Sequence, residues 1–459
     1  MTTLKAGAAR VDISPPLGTQ LAGDIGRLRP VEEIRDPIYA AALVLEQGGR
    51  KFCILSLDLT ILIKAWVTPI RRAAAERFGF DEDAVMVCAT QTHSSMAFGH
   101  AFAELECEHI PDDMRWLLGG DDAYHQLAVD GAVEAIAQAV ANLEEVEVGA
   151  ASGIEGRVCS NRRFVMRDGS TRTHPATADP NIRYAEGPID PEVGVVCFRN
   201  MSGKIIATLL HFTSHPNHGY PLLYVSSDWP GTWRDGVLEL IGEDAVPLVI
   251  NGCCGNIHHR DHLDPHHKPD QERMGRLLTE TTATILPRIE YGKVDLLDWK
   301  TEHLPVPWRE LEAQQLQEAR QQLIDHPTPQ FTDNTHITVS WEWMYAISLL
   351  DIEKQMQLSP HFDYEIQTIR IGNIALAALP GEPFVEGQLR IKLESPTYPT
   401  YIAHMSNMYG GYIPTEEGLR RGGFETRPSN WSKMAPEALN MIADKTVEMF
   451  NGLFAKPLV

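Results

Sequence analysis

Short apolar runs rich in β-branched residues alternate along this chain with segments of helical period. AALVLEQ from Ala41, KFCILSLDL from Lys51 and AVMVCAT from Ala84 predict strands, as do VGVVCF, IIATLLHF, VPLVIN, EIQTIRIG and NIALAAL further on. Between them, KAWVTPIRRAAAERFG from Lys64 and YHQLAVDGAVEAIAQAVANLEE from Tyr124 predict the first helices, and RMGRLLTETTATIL, VEGQLRIKLE and PEALNMIADKTVEMF the later ones. That alternation points to α/β layering. The polar stretch from about Asn161 to Pro191 reads as an excursion over the surface or the site, and residues 301–363 as a helical insertion or lid.

Length and charge narrow the possibilities. A chain of 459 residues can bury a full core, either as two or three domains or as one large α/β body with insertions. A net charge of -22 repels phosphate backbones and anionic lipid, so neither nucleic acid nor a membrane is expected as a partner. No apolar run approaches the roughly 18–20 residues a spanning helix needs, and the N-terminus lacks the apolar stretch of a secretory signal. The expected location is cytoplasmic, where the sequons at Asn200 and Asn430 carry no weight. The seven cysteines read as reduced core residues, and Cys253 and Cys254 as packing rather than ligation.

Chemistry concentrates in the histidines. His93 follows the run AVMVCATQT; His211, His215 and His218 cluster in LLHFTSHPNH; His258, His259, His262, His266 and His267 crowd NGCCGNIHHRDHLDPHH. A lone loop histidine is more often a hydrogen-bonded surface residue than a ligand. Three clusters, each after a strand-like run, instead predict imidazoles at strand ends, where open α/β sheets place ligands and metal sites gather donors from distant segments. No HExxH, paired CxxC or P-loop is present to decide the matter locally.

The motifs RVDISPPLGTQLAG, RDPIYAAALVL, SLDLT, ATQTHSS, SNRR, FTSHP, SSDWPG, NGCCGNIHHR, LPGEPFVEGQLRIK and NMYGGYIPTEEG, in that order from about Ala6 to Glu425, resemble the catalytic domain of the neutral/alkaline ceramidases and their short bacterial relatives. The resemblance implies one large catalytic domain over 1–459, with mixed β-sheets flanked by helices. It also implies a zinc-dependent amidase, its metal held by two histidines, a glutamate and a tyrosine. Carried over, those donors fall on His215, Glu382 and Tyr412, all competent for zinc. The first histidine of the family's His-Thr-His is Gln91 here, a weaker amide donor. The fourth position is therefore open to Gln91, to His93 or His211, or to a different metal.

His93 matches the second histidine of that motif and Arg162 an arginine that contacts substrate, so both are expected to stabilise developing negative charge. His258 stands where the family has a serine, and Phe424 where it has a second tyrosine. Asp228 is expected either to cap a turn or to orient a histidine. With His258, His259, Arg260, Arg162 and Arg163 near the site, a small polar or anionic substrate is expected rather than long-chain ceramide. The primary expectation is a metal-dependent amide hydrolase. A metal-dependent lyase acting on an acidic sugar and a metal-free binding protein are the alternatives, and oligomeric state is open.

Overall fold

The computed structural model describes residues 3–99, 103–105, 109–119 and 122–455. Its first sheet is built from β1 (Lys5–Asp12), β2 (Tyr39–Gln47), β3 (Arg50–Leu57), β4 (Val85–Ala89), β5 (Glu144–Ile154), β6 (Glu192–Asn200), β7 (Ile205–Phe212) and β8 (Val246–Asn251), in the order β8-β7-β6-β5-β1-β2-β3-β4. Only β3/β4 and β7/β8 pair in parallel, and both pairs lie at the sheet's edges. Pro247, which cannot donate to a ladder, sits on the edge strand β8, where that is tolerated.

A second sheet holds β9 (Leu297–Pro307), β10 (His361–Ile371), β11 (Ile374–Ala378) and β12 (Thr400–Ala403) in that order, with β11/β12 parallel. The two sheets stack face to face. Leu43, Leu45, Phe52, Ile54, Met86 and Leu248 meet Ile369, Ile371, Leu376 and Ala403 between them. Because side chains alternate along a strand, Ala42 and Val44 point the other way, toward α1 (Lys64–Phe78) and α2 (Asp122–Ala141). At the sheet's other half, Val195, Cys197, Leu210 and Val249 pack on α3 (Asp228–Ile241) and α4 (Gln271–Ile285). The outer face of the second sheet is covered by α7 (Val385–Glu394) and α9 (Ala438–Phe454), and the short α8 (Glu416–Arg421) precedes α9. Four layers result, helix, sheet, sheet and helix, with apolar strand runs because both faces of each sheet are buried.

The segment 301–363 begins in β9 and ends in β10, which pair in full register. Between them, α5 (Ala313–Asp325) and α6 (Trp341–Leu358) form an excursion, and α6 buries Trp343, Met344, Tyr345 and Ile347 in the same cluster as α1 and α2. The stretch 161–191 is not irregular throughout: Arg163–Met166, Thr171–Thr173 and Ile182–Ala185 form a small antiparallel sheet. Six cysteines are buried and free, and Cys107 lies outside the described residues. Among the described residues no helix is long and apolar enough to cross a membrane.

Candidate active site

The parallel pairs position the site. Gln91, Thr92 and His93 follow β4; Ser214 and His215 follow β7; Cys254 and Asn256 follow β8; Glu382 follows β11; His404, Tyr409 and Tyr412 follow β12. Backbone and amide bonds stitch these ends together. Asn251 Nδ2 donates to the carbonyls of Thr90 and Ser214 at 3.0 Å each, His404 N donates to Asn251 O at 3.1 Å, and Ala89 N to Met405 O at 3.1 Å. Strand ends from two sheets thus become one floor.

Two glycines let the chain approach itself closely. Gly381 and Gly411 both have left-handed backbones, with φ of 73° and 72°. A Cβ on Gly381 would lie 2.4 Å from Gly411 O, in a position occupied by nothing larger than hydrogen. The two turns hold Glu382 and Tyr412 as directly paired residues of a two-stranded parallel bridge, Glu382 N donating to Gly411 O at 2.7 Å.

His215 Nδ1 donates to Cys254 O at 2.6 Å and is also 3.1 Å from Ile257 O, so its Nε2 carries the lone pair. That nitrogen lies 3.2 Å from Glu382 Oε2, another acceptor, while Tyr409 donates its hydroxyl to Glu382 Oε1 at 3.4 Å. Burial, followed by the charge of Arg162, pushes His215 well below the usual imidazole range, which disfavours a proton on Nε2. His93 is set the same way: its Nδ1 pairs with Gly23 O at 2.8 Å, and its buried Nε2 has no partner among the described residues. Burial and then the charge of His215 lower it to about 3.

Arg162 donates from Nε to Glu425 Oε1 at 2.8 Å and from Nη2 to Gly255 O at 2.7 Å, and its guanidinium lies 5.4 Å from the ring centre of Tyr412, whose hydroxyl it bonds. Burial and then Glu382 push the Tyr412 phenol well above its ordinary value, so it is a hydrogen-bond donor. Burial would also raise Glu425, but Arg162 and Arg163 together outweigh it and hold the carboxyl at about 2.

Gln91, with φ of 69°, accepts the thiol proton of Cys254 at its Oε1 over 3.3 Å. Cys254, expected only to pack, is therefore bonded to a site residue. Its thiol is pushed well above its ordinary value, first by burial and then by Glu382.

A cavity of about 400 Å³ opens on Gln91, His93, Arg162, Glu382 and Tyr412. Trp341 from α6, Phe424 and Trp431 line one flank, with Phe424 and Trp431 stacked at 6.1 Å. Asp24, Arg27 and Tyr220 line another, with Tyr220 donating to Asp24 Oδ2 at 2.9 Å and Arg27 3.5 Å from the same oxygen.

Five expected residues thus converge on the cavity, and others do not. His258 is buried outside the lining, its Nδ1 accepting from Arg260 N at 2.9 Å, with His174 edge-on to it at 4.6 Å. Asp228 accepts from the backbone and ring of His218 at 2.7 and 2.6 Å, so it clamps the loop after β7. His215, whose Nε2 faces Glu382, lies in that loop. His211 lies within β7, not at its end, and donates to Ile402 O at 3.1 Å, away from the cavity. Arg163 is committed to Glu425 and Glu186.

Sequence reasoning missed His174, Asp24, Tyr409 and the tryptophans. His174, Asp24, Trp341 and Trp431 do not directly follow a strand-like apolar run, the signal that marks the histidine clusters. Among the described residues no group of three or more His, Cys, Asp or Glu side chains is gathered as a metal site. His215 and Glu382 stand as a pair, and the other expected donors are a phenol and an amide.

No protein-family model matches the chain. Over 181 residues it is 27% identical to the neutral ceramidase of Pseudomonas aeruginosa, a match covering 39% of this chain and 24% of that protein. The matched stretch is thus about a quarter of that relative's length. The crystal structure of neutral ceramidase from the same organism superposes with a TM-score of 0.72 at 17% identity, covering 100% of this chain and 75% of the other. A ceramidase complexed with C2 gives a TM-score of 0.71 at 16% identity, covering 100% and 76%. The molecule is an α/β protein whose two sheets converge on one cavity. Its fold is that of the neutral ceramidase structures, the family its motifs resemble.

Proposed function

We propose that this chain hydrolyses an amide bond of a compact substrate in the cavity beside His215 and Glu382. The observation that carries the reading is the pair of facing acceptors, His215 Nε2 and Glu382 Oε2, 3.2 Å apart. Two lone pairs at that distance call for a cation between them, and His215 disfavours a proton. The unpartnered Nε2 of His93 is a further donor atom waiting for a partner. These residues fit a divalent metal, zinc by donor type: His215, Glu382 and Tyr412 would hold it, with Gln91 or His93 as the fourth donor. When bound, such an ion polarises a carbonyl and acidifies water.

The chain's own groups account for the rest. Arg162, fixed by Glu425 and Gly255 O, presents positive charge beside Tyr412, and that charge favours an oxyanion. His93 adds an acceptor for the water or the amide N–H. The aromatic flank excludes water and receives an apolar part of the substrate. Both arginines that line the cavity are paired with carboxylates, so the proposed substrate is a compact amide with an apolar side rather than an anion.

Incubation with N-acetylsphingosine, N-acetylphenethylamine and an N-acetylated amino sugar, with free amine measured and ¹⁸O-water supplied, tests this. Amine release with one ¹⁸O in the acid product is expected. Release of an unsaturated product without water oxygen would refute hydrolysis.

A further inference from the structure

Of the imidazoles lining the cavity, only His174 has a second imidazole as its hydrogen-bond partner. Its Nδ1 lies 3.1 Å from His262 Nε2, whereas His93 ties its Nδ1 to a backbone carbonyl. His174 Nε2 carries no hydrogen bond among the described residues, and the residue lines the cavity. The backbone is held in a left-handed conformation, φ 53°, which a histidine adopts only at a cost, and His174 N donates to Arg162 O at 3.2 Å. The ring also packs edge-on against His258 at 4.6 Å. Strain, cavity position and an orienting partner coincide in one residue, the arrangement of a base held by a third group.

We infer that His174 is a further catalytic residue, the acid/base that protonates the departing amine, and that His262 is its positioning residue. This rests on the amide-hydrolysis reading above. His174 begins neutral, donating Nδ1–H to His262 Nε2 and holding a lone pair at Nε2. As a water oxygen bonds the carbonyl carbon, Nε2 takes the water proton, and the imidazolium is shared with His262. As the C–N bond breaks, its electron pair goes to nitrogen and Nε2 returns the proton there, leaving a carboxylic acid and an amine.

The groups acting on His174 are Arg162, His262 and His215, which disfavour its charge, and Glu425, which favours it; the His258 ring lies against it. Partial desolvation at the cavity wall and then the Arg162 charge disfavour protonation of the ring, so a proton gained in the reaction is readily surrendered to a more basic nitrogen.

The test uses two acetamides that both carry an aromatic ring, N-acetylphenethylamine, whose amine is strongly basic, and 4-nitroacetanilide, whose amine is weakly basic and needs little protonation to leave. Asparagine accepts left-handed backbone, so His174→Asn is compatible with the local fold. It is expected to lower kcat on the phenethylamide about 100-fold and on the nitroanilide less than about tenfold. His262→Asn, with the cavity imidazole intact, is expected to lower kcat on the phenethylamide about tenfold at unchanged KM. Equal losses on both amides, or no loss with His174→Asn, would overturn the inference while leaving hydrolysis standing. Failure of the unaltered protein to release either amine would remove the hydrolysis reading first, and the inference with it.

Discussion

Nε2 of His215 and Oε2 of Glu382 face each other at 3.2 Å, two acceptors in a buried cavity with the imidazole proton committed elsewhere, on Cys254 O. This pair exists because β7 and β11, from different sheets, end at the same place.

If a metal ion resolves that pair, Glu382→Ala loses it. Elemental analysis of the purified proteins is expected to find stoichiometric zinc in the unaltered chain and little in the variant. Full occupancy in Glu382→Ala would show that the pair is not a metal site. Chelation of the unaltered protein is expected to lower its melting temperature, since an ion bound only to the folded state stabilises it.

Gln91, at the cavity beside Glu382, spends one lone pair on the Cys254 thiol. Replacing a neutral amide oxygen with imidazole strengthens a zinc site. Gln91→His is expected to tighten zinc binding by about tenfold in a chelator competition. An unchanged affinity would assign the fourth position to another side chain.

Glu425 neutralises two buried guanidiniums, of Arg162 and Arg163, and accepts from Thr173 as well. Glu425→Gln leaves the buried Arg162 without a carboxylate partner and Arg163 with Glu186 alone, and is expected to cost about 3–5 kcal/mol in chemical denaturation. A loss below about 1 kcal/mol would mean that the arginines are solvated or paired elsewhere.

Acid sensitivity follows from the buried neutral histidines. Burial, followed by the Lys392 charge, lowers His211 to about 4, and burial followed by His215 lowers His404 to about 3, both from an ordinary 6.5. Each binds a proton on unfolding throughout the window between those values. Stability is therefore present above about pH 6.5 and falls as the pH drops toward 4, by roughly 3 kcal/mol per pH unit for the two together. Denaturation midpoints at pH 7, 6 and 5 measure the slope. His211→Gln, which keeps an N–H for Ile402 O, is expected to remove one histidine's share of that slope, about 1.4 kcal/mol per pH unit; an unchanged slope would show that His211 is charged in the folded protein.

The segment GE in LPGE shows what local sequence can and cannot disclose. Strand runs such as IIATLLHF and VPLVIN were legible because strands buried on both faces are apolar throughout, and α7 matches the predicted VEGQLRIKLE. The motifs also contain five residues that line the cavity, Gln91, His93, Arg162, Glu382 and Tyr412, most of them just after a strand or a tight turn.

The amino-acid order by itself determined the α/β elements, the acidic surface charge and the set of chemistry-bearing residues, all of which depend on local pattern and composition. Tertiary structure alone decided which of them share a cavity. His258 and Asp228 were placed behind it and His211 inside a strand, while His174, Asp24 and Trp431 were brought to its lining from segments with no local signal. The physical reason is that convergence depends on how two sheets stack and where their parallel pairs end. Contacts such as Asn251 with Thr90 and Ser214, or Gly381 against Gly411, set that relation across the fold and leave no periodicity in either segment.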